Sequence, residues 1–257
     1  LTMQDYPNAA QYAKTAIDLA EKQGHALMEG DQLMCGFANI TSDTKEAMYA
    51  AMTPNDQTVY FYSFYAYMSW NFNSSAIRQG VKCINAETYD TMSETDERRK
   101  WWDPSGEAEV PGSAYAKNIY QNRKFTARST ADAVGDVAFM RLAEMYLIRA
   151  EALARAGDPA AQDVFTAFQK TRDPEYAPKG NTGEALAEEI MNSRRVELWG
   201  EGFRFYDLKR LQQPIKRGSN FIVTFCSFIE KPADADGWVW EIPKAETDYN
   251  SLCTKNY

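Results

Sequence analysis

Three zones of the chain carry a helical period of apolar residues, and the stretches between them carry little or none. The first follows Asp5-Tyr6-Pro7, where proline suits an opening turn. Ala9, Tyr12, Ala13, Ala16 and Ala20 then share one face, and Gly24 marks the end. Those small side chains suit close packing on another helix. From Gly30 to Ala51 the pattern weakens and predicts a loop with a short helix. Val137 to Ala156 has the cleanest period: Phe139, Leu142, Ala143, Tyr146, Leu147, Ala150, Leu153 and Ala154 form one face, with Arg141, Glu144, Glu151 and Arg155 opposite. Gly157 closes that helix, Asp158-Pro159 opens the next, and Ala161, Val164, Phe165 and Phe168 give it an apolar face.

Two amphipathic helices joined in this way form an antiparallel hairpin resembling a tetratricopeptide unit. Residues 181–211 supply the next one. There Leu186, Ala187, Ile190, Met191 and Leu198 make an apolar face, Gly200 and Gly202 break the helix, and Phe203, Phe205, Tyr206, Leu208 and Leu211 follow. Arg194, Glu197 and Glu201 fall on the apolar side. Charges there are costly unless paired, so the spacing predicts an Arg194–Glu197 bridge, with Arg204 or Lys209 as the cation for Glu201.

At Thr58 the composition turns aromatic. Alternation predicts a strand with Tyr60, Tyr62, Phe64 and Ala66 on one side and Phe61, Ser63, Tyr65 and Tyr67 on the other. Trp70 to Ser75 then interleaves rings with amides and hydroxyls. That mixture suits sugars, because a ring takes the apolar face of a pyranose while Asn and Arg bond its hydroxyls. The ligand surface expected on this chemistry comprises Tyr65, Tyr67, Trp70, Asn71, Asn73, Arg78, Trp101 and Trp102. Adjacent Trp side chains on an extended stretch point opposite ways, so one of Trp101 and Trp102 is expected to be partly exposed. Residues 106–136 read as a long loop, with a short paired segment around Lys124, Phe125 and Arg128. Residues 221–228 and 238–242 read as strands, with Trp238 and Trp240 packing from one face onto the helices.

A net charge of −8 argues against a nucleic-acid surface. His25 is the only histidine and has no metal-spaced partners, so it reads as a helix-end residue, and neither metal nor cofactor is expected. Cys35, Cys83, Cys226 and Cys253 lack CxxC spacing. Two disulfides are open to them in an exported protein, with mostly buried thiols preferred. No apolar run approaches membrane-spanning length, and no signal-like segment opens the chain. No Ser-His-Asp or Cys-His set can be assembled, no phosphate-cradling glycine loop occurs, and no catalytic residue is expected.

Arg194, Arg195, Glu197 and Leu198, then Glu201, Gly202, Arg204, Asp207, Leu208 and Arg210, resemble the Arg-Arg-x-Glu-Leu helix and Glu-Gly-x-Arg-x-x-Asp-Leu-x-Arg turn of SusD-like (RagB/SusD) outer-membrane lipoproteins. Ser193 stands where that family often has Glu. Met140 to Gly157 resembles a second family signature, followed by Gln169 and Arg172, with Asp173 in place of a second Arg. Asp96, Arg98, Arg99, Trp101 and Trp102 resemble the family's Asp-Pro-Arg segment, with Glu97 replacing Pro. Ile242, Pro243, Glu246, Asn250 and Asn256 resemble its closing motif.

The resemblance implies a mainly α fold: tetratricopeptide-like helical hairpins forming an α-α superhelix, with long loops and a few short β-strands. It implies one SusD-like domain over 1–257, similar to the later part of the family's chain. Helix and loop fill 1–57, the aromatic-rich loop region with the ligand surface 58–136, the hairpins 137–212, and short strands with the closing segment 213–257. A signal peptide, a lipid-carrying cysteine and amino-terminal helices are expected before Leu1. One of those helices would partner the first alanine stripe. The charged segment 193–211 would be scaffold.

The implied function is glycan capture at the outer-membrane surface, with oligosaccharide or polysaccharide passed to a SusC-like TonB-dependent transporter and membrane attachment only through a lipid anchor outside this chain. A peptide cargo on the same scaffold is the alternative. A helical glycoside hydrolase using Glu197 and Glu201 is a third reading, disfavoured by Arg194 beside them.

Overall fold

The computed structural model describes residues 1–54, 62–72, 74–107, 118–221 and 229–256, with the backbone alone at 78 and 79. The helices are α1 (Tyr6–Lys22), α2 (Ile40–Asp43), α3 (Phe64–Met68), α4 (Ser75–Gln79), α5 (Ala86–Tyr89), α6 (Leu142–Arg155), α7 (Ala160–Lys170), α8 (Gly183–Glu197), α9 (Arg204–Arg210) and α10 (Lys244–Tyr249). Short 3-10 turns occupy Gly30–Met34 and Glu97–Trp101. Among the described residues there are three two-stranded antiparallel pairs: β1 (Ala47–Ala51) with β4 (Val137–Arg141), β2 (Trp102–Asp103) with β3 (Gln121–Asn122), and β5 (Ile215–Lys216) with β6 (Glu230–Lys231). The protein is mainly helical, as its apolar period predicts.

Helix α6 is the axis, and α1, α7 and α8 all pack on it. Asp5 caps α1 by accepting the Asn8 N–H at 3.3 Å. The buried face of α1 is Ala9, Ala13, Ile17 and Ala20, while Tyr12 points to solvent. Ile17 and Ala20 meet Leu142 and Met145, so the alanine stripe already has its partner helix within this chain. The α6–α7 hairpin turns at Gly157, whose φ of +73° only glycine adopts without strain. Its core is Leu147, Ala150, Ala154, Val164, Phe165 and Phe168, closed by Leu186, Ala187 and Ile190 of α8.

Several expected elements shift. Helix α6 begins at Leu142 rather than at Val137, because 137–141 pairs with β1, Ala47 opposite Arg141 and Ala51 opposite Val137. That strand, absent from the helix-period reading, takes Phe139 off the apolar face and leaves it 55% exposed. The aromatic strand is a helix from Phe64, since Ser63 Oγ accepts the Ala66 N–H at 3.1 Å and caps it. Its first two residues, Tyr60 and Phe61, lie outside the described residues, as do 222–228 of the first C-terminal strand. Among the described residues, 238–242 form no strand. Trp238 stacks on Phe205 at 5.6 Å, whereas Trp240 is 90% exposed.

The helix ends and loops are tied by buried charge. Glu197, fully buried, takes Arg141 at 2.9 Å, Arg172 at 3.0 Å and Arg98 at 3.4 Å. Glu46 holds Arg141 and Arg172 from the other side, and Asp96 holds Arg98 at 2.7 Å. Glu201 takes Lys124 at 2.6 Å and Arg141 at 2.7 Å. The expected local pairs are thereby replaced. Arg194 turns to Asp207 at 3.0 Å, and neither Arg204 nor Lys209 reaches Glu201. Arg141 and Glu151, expected on the solvent face, are 1% and 0% exposed, and Arg210 forks onto Glu151 at 2.8 and 2.7 Å. Once both ends of α6 are covered, pairing is the only way to keep those charges.

Burial raises the carboxyl pKa of Glu197, but Arg172, Arg141 and Arg98 override it and hold the group well below the usual range. Glu201 is lowered in the same sense: burial opposes, and Arg141 and Lys124 prevail. Such groups stabilise the fold fully above their unfolded pKa of about 4.3, and the contribution is lost as pH falls through the folded value. Glu197→Ala is predicted to destabilise by about 3–5 kcal/mol in urea unfolding at pH 7, with the deficit shrinking as the pH is lowered below about 4. Equal stability of the two proteins at pH 7 would refute the hub.

Candidate ligand-binding site

Helix α3 turns the aromatic stretch so that its rings divide between inside and outside. Tyr65 is 1% exposed, and its hydroxyl donates to the Asp136 carbonyl at 2.9 Å. Gly135 makes room for it, since a Cβ there would lie 2.3 Å from the ring. Burial raises the Tyr65 phenol pKa far above its ordinary value. Tyr67 and Tyr62 are exposed. Trp70 is half-buried: its Nε1–H donates to Thr126 Oγ1 at 2.8 Å, and the Arg123 guanidinium sits 4.0 Å from its ring centre. Asn71 is buried and clamps Ala127, donating to its carbonyl and accepting its N–H, each at 2.8 Å.

Asn73 lies outside the described residues, and Arg78 is placed in α4 by its backbone alone. Neither Trp101 nor Trp102 is exposed, contrary to the argument from an extended stretch. Trp101 closes a 3-10 turn while Trp102 opens β2, and the change of backbone between them sends both rings inward, edge to face at 5.9 Å. Trp101 Nε1–H donates to the Leu33 carbonyl at 2.6 Å. Of the expected surface, then, Tyr67 and part of Trp70 face outward. Tyr65, Asn71, Trp101 and Trp102 are core.

A second set of polar side chains lies in a cleft elsewhere. A cleft of about 600 Å³ opens between residues 80–85, the end of α8, the start of α9, and 215–221. A second of about 400 Å³ adjoins it, sharing Ile84, Asn85, Arg195, Trp199 and Arg204. Trp199 is held by stacking on Phe125 at 6.4 Å and by the edge of Trp102 at 6.1 Å. Gly200 follows because a Cβ there would meet Phe125 at 2.6 Å. The segment after Ser193 hinted at this cleft: Arg194, Arg195, Arg204, Lys209 and Arg210 outnumber Glu197, Glu201 and Asp207, so some of these cations lack an acid nearby in sequence.

Among the described residues no group of His, Cys, Asp and Glu could hold a metal, and Cys35, Cys83 and Cys253 are free thiols. His25 Nδ1 lies 2.9 Å from the Lys45 carbonyl at the end of α1.

Residues 6–257 match the SusD family. The chain belongs to the SusD family. A SusD-like protein P38 from Formosa agariphila is 28% identical over 92 residues, 32% of this chain and 18% of that protein. Among solved structures, a SusD-like carbohydrate binding protein from Bacteroides vulgatus aligns with a TM-score of 0.73 at 24% identity, over 94% of this chain and 55% of its own. A surface glycan-binding protein A from Bacteroides fluxus aligns with a TM-score of 0.59 at 22% identity, over 82% and 49%. These neighbours share the SusD-family fold, and this chain spans about half their length.

Core and surface members of the aromatic segment are separable by stability. Asn71→Ala strands two buried Ala127 backbone groups and is predicted to lower unfolding free energy by about 2–3 kcal/mol, whereas Tyr67→Ala stays within about 0.5 kcal/mol. Urea midpoints of the two variants provide the comparison, and the reverse order would show the segment wrongly assigned.

Proposed function

We propose that this SusD-family chain captures oligosaccharide or polysaccharide at the outer-membrane surface and passes it to a SusC-like TonB-dependent transporter. The family match over residues 6–257 carries the reading. Tyr62 and Tyr67 support it as exposed rings in the same aromatic segment as half-buried Trp70. On this reading Tyr67 and Trp70 meet the sugar, with Asn73 and Arg78 neighbouring them in sequence. Tyr65, Asn71, Trp101 and Trp102 hold that surface from behind. Membrane attachment is assigned to a lipid anchor outside this chain. No helix among the described residues is long and apolar enough to cross a membrane.

The reading asks for binding without bond cleavage. A glycoside hydrolase needs one carboxyl kept protonated near neutral pH. Glu197 and Glu201 are the reverse, since the cations packed around each outweigh burial and keep them ionised. Affinity then comes from several ring and hydrogen-bond contacts, each modest, so it declines stepwise when they are removed one by one.

Titration with a panel of oligosaccharides and polysaccharides, followed by intrinsic Trp fluorescence, tests the proposal. One glycan class is expected to give a saturable response, and Tyr67→Ala and Trp70→Ala each to weaken it about three- to tenfold. Saturable binding of peptides with no response to any glycan would overturn the sugar reading in favour of peptide cargo. Measurable glycan hydrolysis would overturn the non-enzymatic one.

A further inference from the structure

Most buried cations in this protein have a carboxylate against them, as at Arg98, Arg141, Arg172 and Arg210. Arg195 and Arg204 depart from that rule. Both are half-buried, both line the two adjoining clefts, and neither has a hydrogen bond or ion pair among the described residues. Burial first, and then the neighbouring Arg204, bring the Arg195 guanidinium down to about 10, with Glu87 pulling the other way. Glu87 is itself committed, accepting the Ser219 N–H at 2.9 and 3.3 Å. Burial also lowers Arg204, with Asp207 opposing and Arg210 adding to the fall.

The groups around them deepen the imbalance. Arg194 gives its Nε to Asp207 but leaves Nη1 buried and without a partner. Thr88, 2% exposed, lines the smaller cleft with an unbonded Oγ1. Lys82, Lys216 and Arg217 also line the larger cleft, Lys216 being paired with Glu230 at 3.6 Å, and among the described residues its lining contains no Asp or Glu. In a chain of net charge −8, this is a local reversal of sign.

The spare side-chain atoms here are almost all donors. A neutral sugar presents hydroxyls that donate as well as accept, and such a lining leaves their protons unanswered. An oxyanion presents acceptors only, and guanidinium forks match its oxygens two at a time.

We infer that the joined clefts bind the anionic group of an acidic saccharide, a carboxylate or a sulfate, with Arg195 and Arg204 bonding its oxygens and Trp199 beside them in the same cleft. The inference rests on the saccharide-capture reading and narrows its cargo to charged glycans. It also gives the neighbouring Arg pair at 194 and 195 different work. Arg194 braces α9 through Asp207, and Arg195 faces the ligand.

The test is calorimetric titration of the intact chain with tetragalacturonate, a sulfated tetrasaccharide, maltotetraose and a tetraglutamate peptide, at low and high salt. One or both acidic saccharides are expected to bind, more weakly as salt rises, and which of the two binds separates carboxylate from sulfate. Arg195→Gln and Arg204→Gln are each expected to reduce that binding at least about tenfold, while leaving the urea midpoint unchanged or raised because a repulsive buried cation has gone. A lowered midpoint in both variants, with acidic-saccharide binding intact, would make the pair structural and overturn the inference. Maltotetraose binding as tightly as the acidic sugars, or binding of tetraglutamate alone, would overturn it as well. Neutral binding without acidic preference leaves the general capture reading standing, whereas silence from every saccharide defeats both.

Discussion

Glu197 is the point on which the fold turns. One buried carboxylate is shared by guanidiniums from the 3-10 turn at Arg98, the end of β4 at Arg141 and the segment after α7 at Arg172. Glu46 and Glu201 close the shell from two further segments. Charges taken out of water are tolerated only when all partners are present together, so the cluster acts as a single unit of assembly. It fixes where α6 begins, because Arg141 must be in the shell and Leu142 is the first helical residue after it. It also fixes where α8 ends.

The aromatic layer is built around this ionic shell. Lys124 Nζ lies about 5 Å from the ring centres of Phe37, Trp101 and Phe125, and Arg141 lies 5.2 Å from Phe37. The same ammonium donates to the Glu197 and Trp199 carbonyls at 2.7 and 2.9 Å. Burial brings Lys124 down to about 8 even though Glu201 is beside it, so it stays largely charged at neutral pH and keeps those carbonyls occupied. That is how the hub reaches the surface: the backbone around Trp199 is pinned from inside, and the ring and Arg195 line the rim of the clefts.

Periodicity exposed the helical hairpins, because α6, α7 and α8 bury continuous apolar faces and α6 and α8 run out into glycines with positive φ, Gly157 and Gly200. It misplaced the start of α6 and missed β1, since Val137 to Arg141 fits a helical period and pairs with a strand 86 to 94 residues earlier. Local spacing also misassigned the ion pairs. Arg194 and Glu197 are close in sequence, yet Arg98, Arg141 and Arg172 outcompete Arg194 from distant segments. Composition marked the stretch from Thr58 as aromatic but could not say which rings face outward. Tyr65 and Tyr67 differ only by their place on a five-residue helix that a single serine cap creates. The unanswered arginines were visible only as an excess of basic residues after Ser193.

The most direct test of ligand capture on this scaffold is the indole N–H spectrum of the ¹⁵N-Trp-labelled protein, recorded with and without a saturating saccharide. The Trp70 and Trp199 resonances are expected to move, with Trp101 steady on its bond to the Leu33 carbonyl. Six unmoved indoles across neutral and acidic saccharides alike would contradict ligand capture.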